Sequence, residues 1–225
     1  MDHAYEIEIK SLLGSKDKAE ALVANMKQSD PSLQVLSTHK QLNHYFVGDS
    51  LERLVIALQP YLDKEKQKQL DHILEHVKDF SVRTREADSK VLFVLKASID
   101  DTTSSNGTAR LEFEAVMPLA LSDLDKLILD AGFQYQAKWS RERQEFKYKD
   151  VTVDLDKNAG YGYLAEFELV LDDPAKADEG KAQLREMMAS LGVEELPQDR
   201  LTRMFDFYNT NWPDYYGTDK IFNIE

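Results

Sequence analysis

Six segments of the chain set like charges one residue apart. They are Glu6 and Glu8 followed by Lys10, Arg83 and Arg85, Glu112 and Glu114, Arg141 and Arg143, Asp154 and Asp156, and Glu166 and Glu168. In a β-strand such spacing puts both members of a pair on one face and the residue between them, apolar in each of the four acidic pairs, on the other. A wet sheet face made only for solubility would mix Ser, Thr, Lys and Glu along each strand. Here the signs are segregated strand by strand. Like charges held that close repel unless something of opposite sign lies between them, so the pattern asks for bound cations and bound anions together. The chain has no cysteine, so a metal would be held by oxygen, and the arginine pairs suit phosphate oxygens.

The elements that must position these pairs can be read from periodicity. After the first strand, Ser15 caps a helix through Ala19, Leu22, Val23 and Met26 that ends at Asp30-Pro31. A second strand spans about 33–47. A helical insertion follows at about 51–79, with Leu51, Leu54, Val55 and Leu58 on one face, a break near Pro60, and Leu70, Ile73, Leu74 and Val77 continuing the period. Strands are then expected at 80–86, 91–98 and 109–117, the last two joined by a turn at Asn106-Gly107. Ser122 is expected to cap a short helix ending at Gly132. Strands at 133–147, 151–156 and 163–171 and helices at about 175–191 and 197–211 complete the order, before an aromatic tail of Trp212, Tyr215, Tyr216 and Phe222.

Eight strands with antiparallel turns, charged on one side and apolar on the other, predict an α+β fold: a closed eight-stranded antiparallel β-barrel with a charged interior. Ile7, Ile9, Val82, Leu111, Phe113, Val153, Leu155, Phe167 and Leu169 would face outward beneath amphipathic helices. At 225 residues the whole chain is read as one domain. Its formal charge of −13 argues against nucleic acid or an anionic membrane as partner. Absence of cysteine, of a leader-like apolar segment and of a membrane-length apolar run suggests a soluble, cytoplasmic protein. His72 and His76 lie one helical turn apart like a zinc pair, but no third ligand is evident and the surrounding Lys, Gln and Glu read as a solvated helix face.

Through these residues the chain resembles the CYTH superfamily, the triphosphate tunnel metalloenzymes. The similarity runs in order from Glu6-x-Glu8-x-Lys10 through Arg83-x-Arg85, Lys96, Arg110-x-Glu112-x-Glu114, Arg141-x-Arg143 with Phe146, and Leu155-Asp156 to Gly162 and Glu166-x-Glu168. The resemblance implies a tunnel in which Lys10, Arg83, Arg85, Lys96, Arg110, Arg141 and Arg143 bind the phosphates of a triphosphate or nucleotide. It implies Mg²⁺ or Mn²⁺ on Glu6, Glu8, Glu112, Glu114, Asp156, Glu166 and Glu168. Asp154 joins the metal set by sharing the face of Asp156. Glu6, Glu8 and Lys10 are the expected catalytic group. The activity implied is metal-dependent triphosphate hydrolysis, with a class IV adenylyl cyclase as the alternative and a non-catalytic polyphosphate or nucleotide binder below both. Two departures stand out: the second strand ends His44-Tyr45-Phe46 without an acidic residue immediately after, and the insertion at 51–79 is longer than the family's usual connection. We read that insertion as packing or as a contact in a homodimer.

Overall fold

The computed structural model describes residues 5–98, 110–171 and 174–225, with side chains over 7–97, 113–171 and 175–225. Eight strands form in chain order: β1 (Tyr5–Gly14), β2 (Gln34–Val47), β3 (Asp79–Ala87), β4 (Lys90–Ser98), β5 (Arg110–Val116), β6 (Gln134–Tyr148), β7 (Val151–Asn158) and β8 (Gly162–Leu171). The helices are α1 (Lys16–Ser29), α2 (Glu52–Leu58), α3 (Lys64–His76), α4 (Leu121–Asp130), α5 (Ala177–Ser190) and α6 (Gln198–Asn211). No described helix is long and apolar enough to cross a membrane.

The strands make one antiparallel sheet in the order β1-β8-β7-β6-β2-β3-β4-β5. The expected closed barrel is therefore corrected: among the described residues no ladder joins β1 to β5, and these two strands are the sheet's edges. Alternation of charged and apolar residues assigns side chains to faces identically in open and closed sheets, so it carried no information about closure. Both edges also bear charges, which discourages edge pairing.

The chain divides into two compact units. One comprises Met1–Lys40 with Ser140–Glu225, the other Gln41–Trp139. In the first, Ile7, Ile9, Val153, Leu155, Phe167 and Leu169 are buried with Leu22 and Met26 of α1 and Leu184 and Met188 of α5. Ser15 caps α1 as expected, its hydroxyl accepting from the Lys18 amide. Gly180 permits the close approach of α5 to β1, since a Cβ there would lie 2.4 Å from Ile7 Cδ1. The tail folds back on the β7–β8 turn through a hydrogen bond from the Phe222 amide to Gly160 O (2.9 Å), and Phe222 packs on Tyr161 and Tyr208.

In the second unit, Phe46, Val82, Phe93, Leu95 and Phe113 form the sheet side of a core closed by Leu54, Leu58, Leu70, Ile73, Leu124 and Ile128. The insertion thus packs, as α2, a 3₁₀ turn at Gln59–Tyr61 and α3. Ser122 does not cap α4. The cap position is Ala120, which offers no side-chain bond, and Ser122 lies inside the first turn. The Asn106-Gly107 turn and the exposure of Leu111 fall outside the described residues.

Candidate functional site

Register assembles the first unit's charges into rows across the sheet. Glu8 pairs with Glu168, which pairs with Thr152. Lys10 pairs with Glu166, Glu166 with Asp154, and Asp154 with Glu145. Asp156 lies opposite Arg143, and Arg141 opposite Asn158. Because successive strands are antiparallel and in register, the charged residues of these rows fall on one face, opposite the apolar core.

At the centre is Arg143. Its Nε and Nη2 donate to the two oxygens of Asp156 at 2.7 and 2.6 Å, its Nη2 donates to Glu166 Oε2 at 2.9 Å, and its Nη1 contacts Asp154. Arg141 Nη1 adds a bond to Asp156 Oδ2 at 3.1 Å. Lys10 Nζ lies 3.0 Å from Glu166 Oε1 and also contacts Glu8. Asp156, wholly buried, therefore has both oxygens committed to arginine, whereas Asp154 Oδ1 is buried and accepts no hydrogen bond.

The charges respond to this crowding. Burial alone would raise the Glu166 pKa, but Lys10 and Arg143 outweigh it and hold the carboxyl below its ordinary value. Burial would loosen the Arg143 proton, yet the hydrogen bond to Asp156 and the fields of Asp156, Asp154 and Glu166 raise its pKa instead. Asp154 goes the other way: burial, followed by repulsion from Asp156, Glu166 and Glu145, overrides attraction to Arg143 and pushes it up to about 7. A buried carboxyl with an unsatisfied oxygen among other acids fits a bound divalent cation.

In the second unit, Arg83 and Arg85 stand on the face of β3 away from the core. Tyr45 lies opposite Arg83, and Asn43 opposite Arg85. Arg83 Nη1 donates to Tyr45 Oη at 3.1 Å, and Arg85 Nε to Asn43 Oδ1 at 3.0 Å. Lys96 is half-buried opposite Ser81 and Glu112, while Glu114 is exposed opposite Val94. On the other face of β2 and β3, Asp125 of α4 draws the strands to the helix. His44 Nδ1 lies 2.6 Å from its Oδ2, Thr84 Oγ1 donates to Oδ1 at 2.8 Å, and Tyr135 Oη donates to Oδ2 at 2.8 Å. Burial would raise the Asp125 pKa, but these three partners together lower it.

The side chains of Glu6, Arg110 and Glu112 are outside the described set, although all three residues lie in strands. Sequence reasoning missed Glu145, Asn43 and Tyr45. Continuing the Arg141-x-Arg143 alternation by one step would have found Glu145. Asn43 and Tyr45 carry no sequence signal of their own, because their role depends on the β2–β3 register.

The CYTH domain family matches residues 4–200. Among solved structures, a conserved hypothetical protein from Pyrococcus furiosus superposes with a TM-score of 0.54 at 18% identity, covering 87% of this chain and 93% of its own. A protein from Pyrococcus horikoshii OT3 gives 0.53 at 20%, covering 86% and 94%. A Vibrio parahaemolyticus protein called a "putative adenylate cyclase" gives 0.54 at 14%, covering 90% and 98%. At these identities the likeness is one of fold. No curated protein sequence matches the chain.

Proposed function

Because this chain belongs to the CYTH family, whose members are typically triphosphatases or cyclases and generally depend on a divalent metal, we propose that it hydrolyses a triphosphate with Mg²⁺ or Mn²⁺. The observation that carries the reading is Asp154: a buried carboxyl with an orphaned oxygen, directly across the ladder from Glu166 on one side and Glu145 on the other. Asp154, Glu166, Glu168 and Glu8 would hold the cation. When bound, the metal would draw charge from the phosphate oxygens and acidify a water.

The chain's own groups supply the rest. Asp156 acts as the brace for Arg141 and Arg143, fixing both guanidinium groups so that they meet phosphate without first losing side-chain freedom. Lys10, tied to Glu166 and Glu8, would be released to meet a phosphate oxygen if those two acids held a cation. Arg83 and Arg85, held by Tyr45 and Asn43, carry the same phosphate-binding chemistry in the second unit. No covalent nucleophile is required, because orientation and charge neutralisation suffice for phosphoryl transfer.

Hydrolysis is preferred to cyclisation because β2 offers little to an adenine base. His44 is turned to Asp125, and Asn43 and Tyr45 are engaged with the arginines. A Mn²⁺ titration followed by electron paramagnetic resonance tests the metal assignment. The Asp154→Asn variant should bind Mn²⁺ at least ~10-fold more weakly than the parent, and equal affinity would remove Asp154 from the metal set.

A further inference from the structure

The last turn of α3 carries a second constellation that the phosphate chemistry does not use. His72, Glu75 and His76 each present one ligand atom, all within 4.8 Å of one another, and all three side chains are exposed. The sequence shows the two histidines as a pair. The helix brings Glu75 beside them, because positions i, i+3 and i+4 share a face. We propose that this turn is a binding site for a transition-metal dication of the Zn²⁺ type, with His72, Glu75 and His76 as its three protein ligands.

Three features support it. His76 Nδ1 lies 2.8 Å from the carbonyl oxygen of His72. A carbonyl only accepts, so Nδ1 carries the proton and Nε2 of the neutral ring keeps the lone pair for a metal. This backbone bond orients the imidazole in the way that outer hydrogen bonds orient metal-binding histidines. Second, the site occupies the final turn of a 13-residue helix, where the backbone carbonyls and the macrodipole favour positive charge. Third, Leu70 and Ile73 are buried in the second unit's core, so the scaffold that carries the ligands is fixed while the ligand side chains remain free to adjust.

The chemistry separates this site from the carboxylate face. Two imidazoles and one carboxylate suit Zn²⁺, Ni²⁺ or Cu²⁺, whereas Mg²⁺ and Mn²⁺ prefer oxygen. Zinc ligands at about 2.0–2.2 Å in a tetrahedron stand roughly 3.4 Å apart, so modest rotations of exposed side chains close the set. A fourth position remains for water. Binding here would pin the end of the insertion's second helix, and removal of zinc would release it.

Calorimetric titration of the full chain with Zn²⁺, in millimolar Mg²⁺ to occupy the oxygen sites, tests the proposal. One equivalent of Zn²⁺ should bind the parent. His72→Ala, His76→Ala and Glu75→Gln, all at exposed positions and checked for folding by circular dichroism, should each weaken binding at least ~10-fold. An unchanged isotherm in the double histidine variant, or no zinc bound by the parent, would overturn the site. Loss in both histidine variants with Glu75→Gln unaffected would overturn the three-ligand assignment.

Discussion

Asp154 is expensive to fold and is kept at the centre of a charged face. Its pKa of about 7 lies above the roughly 3.9 of an unfolded aspartate, so the native state binds the extra proton between those values. The favourable contribution is full below about pH 4 and is lost as pH rises through 7. Asparagine cannot ionise, so Asp154→Asn should match the parent near pH 4 and exceed it at pH 8 by about 2–4 kcal/mol, or roughly 5–10 °C in Tm. Calorimetric melts without added metal check this, and a difference independent of pH would contradict it. Arg83 makes a complementary case. Its guanidinium is presented by Tyr45, and Arg83→Ala should weaken binding of inorganic triphosphate far more than of orthophosphate. Equal losses in paired binding titrations would show that Arg83 does not span a chain of phosphates. The alternation of charges made the acidic and basic positions readable from sequence. What it could not tell was that Asp156 would be consumed by two arginines while Asp154 kept an open oxygen, since that depends on which rows align across strands.

At the scale of elements, the charged face is set by the register of β7, β8 and β1, and that register begins at a glycine. Gly162 has φ +71°, and a Cβ there would meet the Gly14 carbonyl oxygen at 2.2 Å, a backbone atom that cannot swing aside. Gly162→Ala should therefore destabilise by about 2 kcal/mol or more. Gly132→Ala, with positive φ but open space around it, should cost only about 1 kcal/mol. Chemical denaturation of the two variants side by side tests the difference, and equal costs would dismiss the close approach at Gly14. Strands and helices were largely legible because two-residue and 3.6-residue periods are distinct over these lengths. The start of α4 was not. Ser122 is a good capping residue in isolation, but Leu121 and Leu124 are drawn into the core, and the helix starts at Leu121 with Ala120 in the cap position.

At the scale of the whole molecule, the eight strands follow one antiparallel order, β1-β8-β7-β6-β2-β3-β4-β5. Each unit has its own hydrophobic core and its own charged strand face. The resemblance read from sequence named the family that the domain match shows, while the closed hydrogen-bonded barrel did not follow from it. The proposed activity is metal-dependent hydrolysis of a triphosphate. The most direct test is product analysis: the purified chain incubated separately with inorganic triphosphate and with ATP, in Mg²⁺, in Mn²⁺ and in chelator. Orthophosphate release that requires metal and ceases with chelator is the expected result. Cyclic AMP and pyrophosphate from ATP, or triphosphate bound without turnover under any condition, would contradict it.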